Sequence, residues 1–219
     1  MAQIFRPRAN ALAKMIIFGI VLFSAALVGL ALAVVRSSYV TEEDVAPQQP
    51  VPFSHEHHVG GLGIDCRYCH TSVEESYFAG IPPTETCMTC HSQLWTHAEM
   101  LAPVRQSLAT DTPLRWTRVY DLPDYVYFNH SIHINKGVAC VTCHGRVDKM
   151  PLIRQANSLY MQWCLECHRA PEKYVRPREH VFDMDWQPPE KQITLGKKLV
   201  HDYKIDTSGR ITTCYTCHR

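Results

Sequence analysis

The strongest hydrophobic feature along the chain is an uncharged apolar run from Met15 to Val35, closed by Arg36. At 21 residues it has the length of one membrane-crossing helix. Arg6, Arg8 and Lys14 precede it without an acidic residue. That bias predicts a cytoplasmic N-terminus over residues 1–14, with the rest of the chain carried across the membrane. The competing reading is a cleaved signal peptide, because Ala31-Leu32-Ala33 resembles a cleavage site, but the run is long for a signal h-region. The expectation is an uncleaved anchor over residues 15–35. Its small residues (Gly19, Ser24, Ala25, Ala26, Gly29, Ala31, Ala33) either allow close packing on another membrane helix or are ordinary membrane-helix residues.

Beyond the run the pattern changes. Residues 36–50 are polar, acidic in part (Glu42, Glu43, Asp44), and lead into Gln-Gln-Pro-Val-Pro. They predict a linker or an extended arm. Residues 101–125 contain Pro103, Pro113 and Pro123 with Arg105, Arg115, Arg118 and Trp116, which reads as a crossing loop or as a segment wrapped over a cofactor or partner. Residues 169–190 hold Pro171, Pro177, Pro188 and Pro189 and are expected to be extended. Residues 191–204 carry Lys191, Lys197, Lys198 and Lys204 on a short helical pattern. Those lysines read as a solvated helix face, with a docking patch for an acidic partner as the lesser alternative.

What organises this sparse pattern is a motif repeated five times: Cys66-Arg-Tyr-Cys69-His70, Cys87-Met-Thr-Cys90-His91, Cys140-Val-Thr-Cys143-His144, Cys164-Leu-Glu-Cys167-His168 and Cys214-Tyr-Thr-Cys217-His218. CxxCH is the attachment site of a c-type haem. The two thiols form thioethers with the haem vinyl groups and the imidazole ligates the iron. These motifs use all ten cysteines of the chain. A disulfide framework would not place a histidine after every second cysteine, and a structural zinc site pairs CxxC units and does not need that histidine. Five haem c groups are therefore expected.

This changes the fold expected of the remaining chain. Beyond residue 35 there is too little polypeptide to build a side-chain core around each of five porphyrins. The porphyrins must form much of the core themselves, wrapped by short helices and loops with little β-structure. The 14 prolines and 10 glycines agree. The fold class expected is mostly α and irregular, a multihaem domain over residues 51–219 behind one N-terminal transmembrane helix. Because haem is attached to CxxCH outside the cytoplasm, that domain should face the periplasm. The net charge of +1 offers no case for a nucleic-acid partner.

An internal repeat subdivides the domain. Val51-Pro-Phe53-Ser-His55-Glu-His57-His58 precedes the first haem motif, and Val126-Tyr-Phe128-Asn-His130-Ser-Ile-His133 precedes the third. Both read V-x-F-x-H-x-x-H. Each leads to a Gly-[Ile/Val]-x-Cys run and then to a second haem motif. Two dihaem modules follow, about 51–100 and 126–180, with the fifth haem at 201–219. Each iron also has a sixth position, and a second protein ligand there separates electron transfer from catalysis at an open iron. Eight histidines remain after the proximal five: His55, His57, His58, His97, His130, His133, His180 and His201. An H-x-x-H pair projects both rings to one side of a helical turn, within reach of two different irons.

The repeat resembles that of the class III multihaem cytochromes, the cytochrome c3 and c7 type, in Phe53, His55, His58 and Phe128, His130, His133. The resemblance implies that His55 ligates the haem of His70, and His130 that of His144. His58 and His133 would serve other haems, those of His91 and His168. His201, 13 residues before Cys214, is the candidate at the fifth haem, without the preceding phenylalanine or a paired histidine. His57, His97 and His180 remain, each equally well read as a surface histidine. Met150, Met161 and Met184 near the fourth motif and Met88 and Met100 near the second are alternative ligands, though methionine is more often filler.

The whole layout, from basic N-terminus and single span to terminal CxxCH, resembles the pentahaem subunit of bacterial alternative complex III. That resemblance implies an inner-membrane electron-transfer subunit relaying electrons from quinol to a periplasmic cytochrome, soluble carrier or terminal oxidase. Its partners would be iron–sulfur and integral-membrane subunits. One competing reading is a self-sufficient membrane-anchored quinol dehydrogenase. A second is a multihaem enzyme with an open iron, which five intact CxxCH motifs disfavour.

Overall fold

A computed structural model describes residues 6–189 and 191–218. The chain divides into two units, Met1–Glu43 and Asp44–Arg219. In the first, α1 (Pro7–Val35) is one continuous 29-residue helix, about 43 Å long at 1.5 Å per residue. It begins at a proline, whose fixed φ suits the first helical turn, and runs uninterrupted through Gly19 and Gly29. Its large apolar side chains, Phe18, Leu22 and Phe23 among them, are exposed. The uncharged apolar surface over Met15–Val35 suits a hydrocarbon environment, and the helix is long and apolar enough to cross a membrane. A short helix, α2 (Ser38–Thr41), follows.

The second unit contains short helices and irregular segments, with no strand among the described residues and one isolated β-bridge, Val138 with Val175. It opens with an arm. The Asp44 N–H donates to the Gln155 carbonyl at 2.8 Å. The Gln49 amide pairs with the Thr117 backbone in both directions at 2.9 Å. Residues 44–50 are therefore held to the rest of this unit at both ends.

A single turn of π-helix, Glu56–Gly61, contains His58 and is preceded at its N-cap by His55, the two members of the first H-x-x-H pair. Then come α3 (Cys66–Cys69) and α4 (Thr84–His91). A 3₁₀ turn, Glu99–Leu101, runs directly into α5 (Ala102–Thr110). This helix stands where a proline-punctuated loop was expected. Pro103 sits in its first turn, where its missing N–H costs nothing, and Leu101, Val104 and Ser107 bury one face. The second half contains α6 (His130–Asn135), α7 (Cys140–His144), α8 (Met161–Arg169), α9 (Gln192–Asp202) and α10 (Cys214–Cys217). Between α8 and α9 the stretch expected to be extended is broken by two 3₁₀ turns, Pro171–Lys173 and Arg178–His180.

Buried side chains form only small clusters. Val51, Leu101 and Val104 pack with Cys87 and Met88 near the second motif. Val73, Ile134 and Val181 pack with Cys140 at the third. Val138, Val175, Leu195 and Leu199 form the largest, with Cys143, Trp186 and Tyr203. Each cluster touches a motif cysteine, so the side-chain core lies against the attachment points. The expected lysine helix is α9. It turns Leu195, Gly196 and Leu199 inward and leaves Lys197 and Lys198 exposed, the solvated-face reading. Gly196 permits this packing, because a Cβ there would collide with the Glu172 carbonyl.

Candidate haem-binding centre

Each CxxCH lies on, or closes, a helical turn. Positions i, i+3 and i+4 of a helix share one face, so both thiols and the imidazole of a motif meet the same side. Residues 65, 139, 160 and 213, just ahead of α3, α7, α8 and α10, are extended, which starts each turn abruptly. The ten thiols are free. Burial pushes Cys143 up to about 12 and Cys167 up to about 11.

The rings of the CxxCH motifs and of the H-x-x-H pairs share a device. Nδ1 of His70 lies 2.8 Å from the Gly80 carbonyl, that of His91 3.2 Å from Leu94, that of His168 2.8 Å from Ile211 and that of His218 3.2 Å from Tyr125. Among the H-x-x-H histidines, His58 reaches the Ser54 carbonyl at 2.8 Å, His130 that of Tyr77 at 2.9 Å and His133 that of Asn129 at 2.7 Å. A carbonyl can only accept, so Nδ1 carries the proton in all seven. Nε2 is left with its lone pair, in a fixed ring orientation suited to a metal.

The rings are also paired across gaps. His58 and His91 have centroids 6.2 Å apart, His130 and His144 6.4 Å, and His133 and His168 6.1 Å. The last two pairs are nearly parallel, at 12° and 20°. Imidazole nitrogens bind transition metals at roughly 2 Å, so two rings on opposite sides of one metal have centroids roughly 6 Å apart. These pairs are too far apart to touch and correctly spaced to share an ion. No cluster of three or more His, Cys, Asp or Glu side chains among the described residues forms a bare metal site. Two axial nitrogens, with the four equatorial ligands from a porphyrin, fit this donor set.

The fourth H-x-x-H histidine, His55, lies close enough to His70 to lower its own pKa, which falls to about 4 through burial first, then His70 and His58. Unlike its counterparts, its buried Nδ1 has no partner. His144 is also pushed down to about 4, by burial first and then by His130, His70 and His55. Lowered values favour the neutral imidazole, the form able to ligate.

Phe53 and Phe128 explain the repeat. Phe53 stacks on His58 at 4.4 Å and 24°, and meets His55 edge-on at 4.9 Å and 89°. Phe128 stacks on His133 at 4.5 Å and 26°, and meets His130 at 4.7 Å and 88°. One phenylalanine thus holds two imidazoles perpendicular to each other in each module.

The remaining sequence candidates are placed less centrally. His201 is at the end of α9 with its side chain 90% exposed, 3.3 Å from the Asp202 carboxylate. No ring contact joins it to His218 among the described residues. His97 is exposed. His180 stacks on Trp186 at 5.8 Å and lies 3.6 Å from Asp183. Met161 is exposed and Met150 buried, and Met184 is intermediate. His57 lies 6.3 Å from Trp95. The sequence reading missed Tyr120, whose ring sits 4.3 Å from His144. Its hydroxyl accepts from the Ala156 N–H at 2.9 Å, and burial pushes its pKa up to about 12. A tyrosine in a stretch read as a crossing loop gives no signal of this role. The backbone carbonyls that hold the rings have no sequence signature either.

Helical CxxCH cradles with imidazoles facing one another across metal-sized gaps define a multihaem c-type cytochrome. Comparison with known proteins agrees. The family described as cytochrome c7 and related cytochrome c matches residues 126–219. The menaquinone reductase multiheme cytochrome c subunit of Nitratidesulfovibrio vulgaris (strain Hildenborough) is 35% identical over 202 residues, covering 88% of each chain. The chain belongs to this family of multihaem c-type cytochromes, whose members bind haem c covalently and transfer electrons.

Proposed function

We propose that this chain binds five haem c groups and serves as the electron-relay subunit of a quinone-linked membrane complex. The observation that carries the reading is the set of imidazole pairs at 6.1–6.4 Å, because an iron closed on both faces exchanges electrons without binding substrate. Cys66, Cys69, Cys87, Cys90, Cys140, Cys143, Cys164, Cys167, Cys214 and Cys217 hold the porphyrins. His70, His91, His144, His168 and His218 are the proximal ligands. His55, His58, His130 and His133 are the distal ligands of the haems of His70, His91, His144 and His168 respectively.

Residues 15–35 anchor the chain in the inner membrane with the N-terminus cytoplasmic, and the haem domain faces the periplasm. Haem attachment to CxxCH outside the cytoplasm and the basic residues before α1 support this orientation. Iron–sulfur and integral-membrane subunits are its partners, with a periplasmic electron carrier at the other end. Quinone chemistry belongs to those partners, since a single helix offers no enclosed quinone site. The relative's name, a menaquinone reductase subunit, supports electron flow from the periplasmic carrier toward menaquinone. The layout shared with alternative complex III supports the opposite flow, from quinol outward.

The test is haem reduction followed in the α-band, with the purified chain and with the native complex. A menaquinol analogue should leave the isolated chain oxidised and reduce the complex rapidly, whereas a reduced periplasmic cytochrome should reduce both. Menaquinone reoxidising a cytochrome-reduced complex supports the inward direction. Rapid reduction of the isolated chain by quinol would overturn the relay assignment.

A further inference from the structure

The order of the five motifs in space differs from their order in the chain. Motifs 1 and 2 adjoin. The hydroxyl of Tyr68, inside the first, bonds that of Thr89, inside the second, at 2.8 Å. His55 and His58 stand at the start of the same π-helical turn.

Motif 1 also adjoins motif 3. His130, opposite His144, is held by Tyr77 in the loop after motif 1. The Glu56 N–H donates to Met150, just past motif 3, at 3.1 Å. Gly60 fits against the backbone of Asp148 with no room for a Cβ.

Motifs 3 and 4 adjoin through α6, which carries His130 toward one and His133 toward the other. Motif 4 adjoins motif 5. His168 is held by the Ile211 carbonyl, three residues before Cys214.

The far members of the file are kept apart. Among the described residues, no hydrogen bond, ion pair or ring contact joins residues 84–97 to motif residues 140–144, 164–168 or 214–218, nor residues 214–218 to residues 53–97. Motif 5 does meet the segment that leads into α6, where the Tyr127 N–H donates to the Cys217 carbonyl at 2.7 Å. An independent observation marks the same two motifs as terminal. Of the ten motif cysteines, Cys90 and Cys214 are the two exposed ones.

We infer that the five haem motifs stand in one unbranched file, in the order 2–1–3–4–5, and that motifs 2 and 5 are the ends at which electrons pass between this chain and other proteins. The inference rests on the haem reading above and adds to it a direction through the molecule. The H-x-x-H repeat then has a spatial purpose. Each pair clamps two consecutive members of the file, 1 with 2 and 3 with 4. The contacts of His130 with Tyr77 and of His168 with Ile211 join the clamped pairs to each other and to the last member.

The test uses the full-length holoprotein in detergent and proton NMR of the haem methyls through a redox titration. Adjacent haems perturb one another's midpoint most strongly. In wild type, haem 2 and haem 5 should each show one strongly coupled neighbour, and haems 1, 3 and 4 two each. His58→Met, which changes the ligand and midpoint of haem 2, should shift among the other haems the titration of haem 1 alone. His133→Met, at haem 4, should shift haems 3 and 5. A soluble gadolinium chelate should broaden the methyls of haems 2 and 5 most. Strong coupling of haem 2 to haem 3, 4 or 5, or equal broadening of haems 1 and 3, would overturn the file. If His58→Met alters no haem signal, the ligand reading is at fault, and the wild-type couplings still decide the order.

Discussion

At the scale of single residues, the site is governed by how each imidazole is held. Nδ1 is tied to a backbone carbonyl in seven of the rings discussed, so losing a ring leaves an iron open without releasing the haem. His133→Ala should retain the full covalent haem content and convert one haem to high spin, read by electron paramagnetic resonance of the oxidised protein. An unchanged low-spin spectrum would show that His133 is not the ligand. Phe128 acts one step removed. Phe128→Ala removes a ring packed on both His133 and His130. It should lower stability by about 2 kcal/mol and broaden the low-spin signals of two haems together. A change in one haem alone would contradict the shared clamp. The cysteines and proximal histidines were readable from spacing. Gly80, Leu94, Ile211 and Tyr125 were not, because they contribute carbonyl oxygens, which every residue has.

At the scale of elements, short helices are placed by turns that admit little variation. Gly137 has φ +80°, and a Cβ there would run into the Arg176 carbonyl. It sits between α6 and α7 and so sets His130 and His133 against the third motif. Gly209 has φ +97° with open space around it. Gly137→Ala should therefore destabilise by clearly more than Gly209→Ala, for which the left-handed backbone alone costs about 1–2 kcal/mol. Denaturant midpoints of the two variants compare them, and equal losses would show that the Arg176 contact is not limiting. The sequence signalled α9 through its helical pattern and α1 through its length. It hid α5, because Pro103 was taken as punctuation. The burial of Leu101, Val104 and Ser107 at three-residue spacing shows that a helical signal was present and that the proline stood where a helix tolerates one. The π-helical turn at Glu56–Gly61 had no separate signature, since H-x-x-H reads alike on π and α turns.

At the scale of the whole molecule, three small side-chain clusters are a poor core for the unit Asp44–Arg219. The cofactors are expected to supply the missing apolar volume. Chain expressed without haem maturation should therefore be unfolded beyond α1 and readily proteolysed, and protection of residues 44–219 in that apo form would contradict this. The membrane anchor makes a separate prediction. Replacement of residues 1–36 by a cleavable export signal should move the haem-containing chain from the membrane to the soluble fraction with its visible spectrum intact. Retention on membranes would point to attachment through a partner.

The central claim is that opposed histidines close the irons of a five-haem relay. The most direct measurement is haem content per chain together with the spin-state census of the oxidised full-length protein, by pyridine haemochrome and near-infrared magnetic circular dichroism. The account predicts five haems per chain, with at least the four served by His55, His58, His130 and His133 low-spin and bis-histidine. Fewer haems, or two or more irons that are high-spin or methionine-ligated, would contradict it.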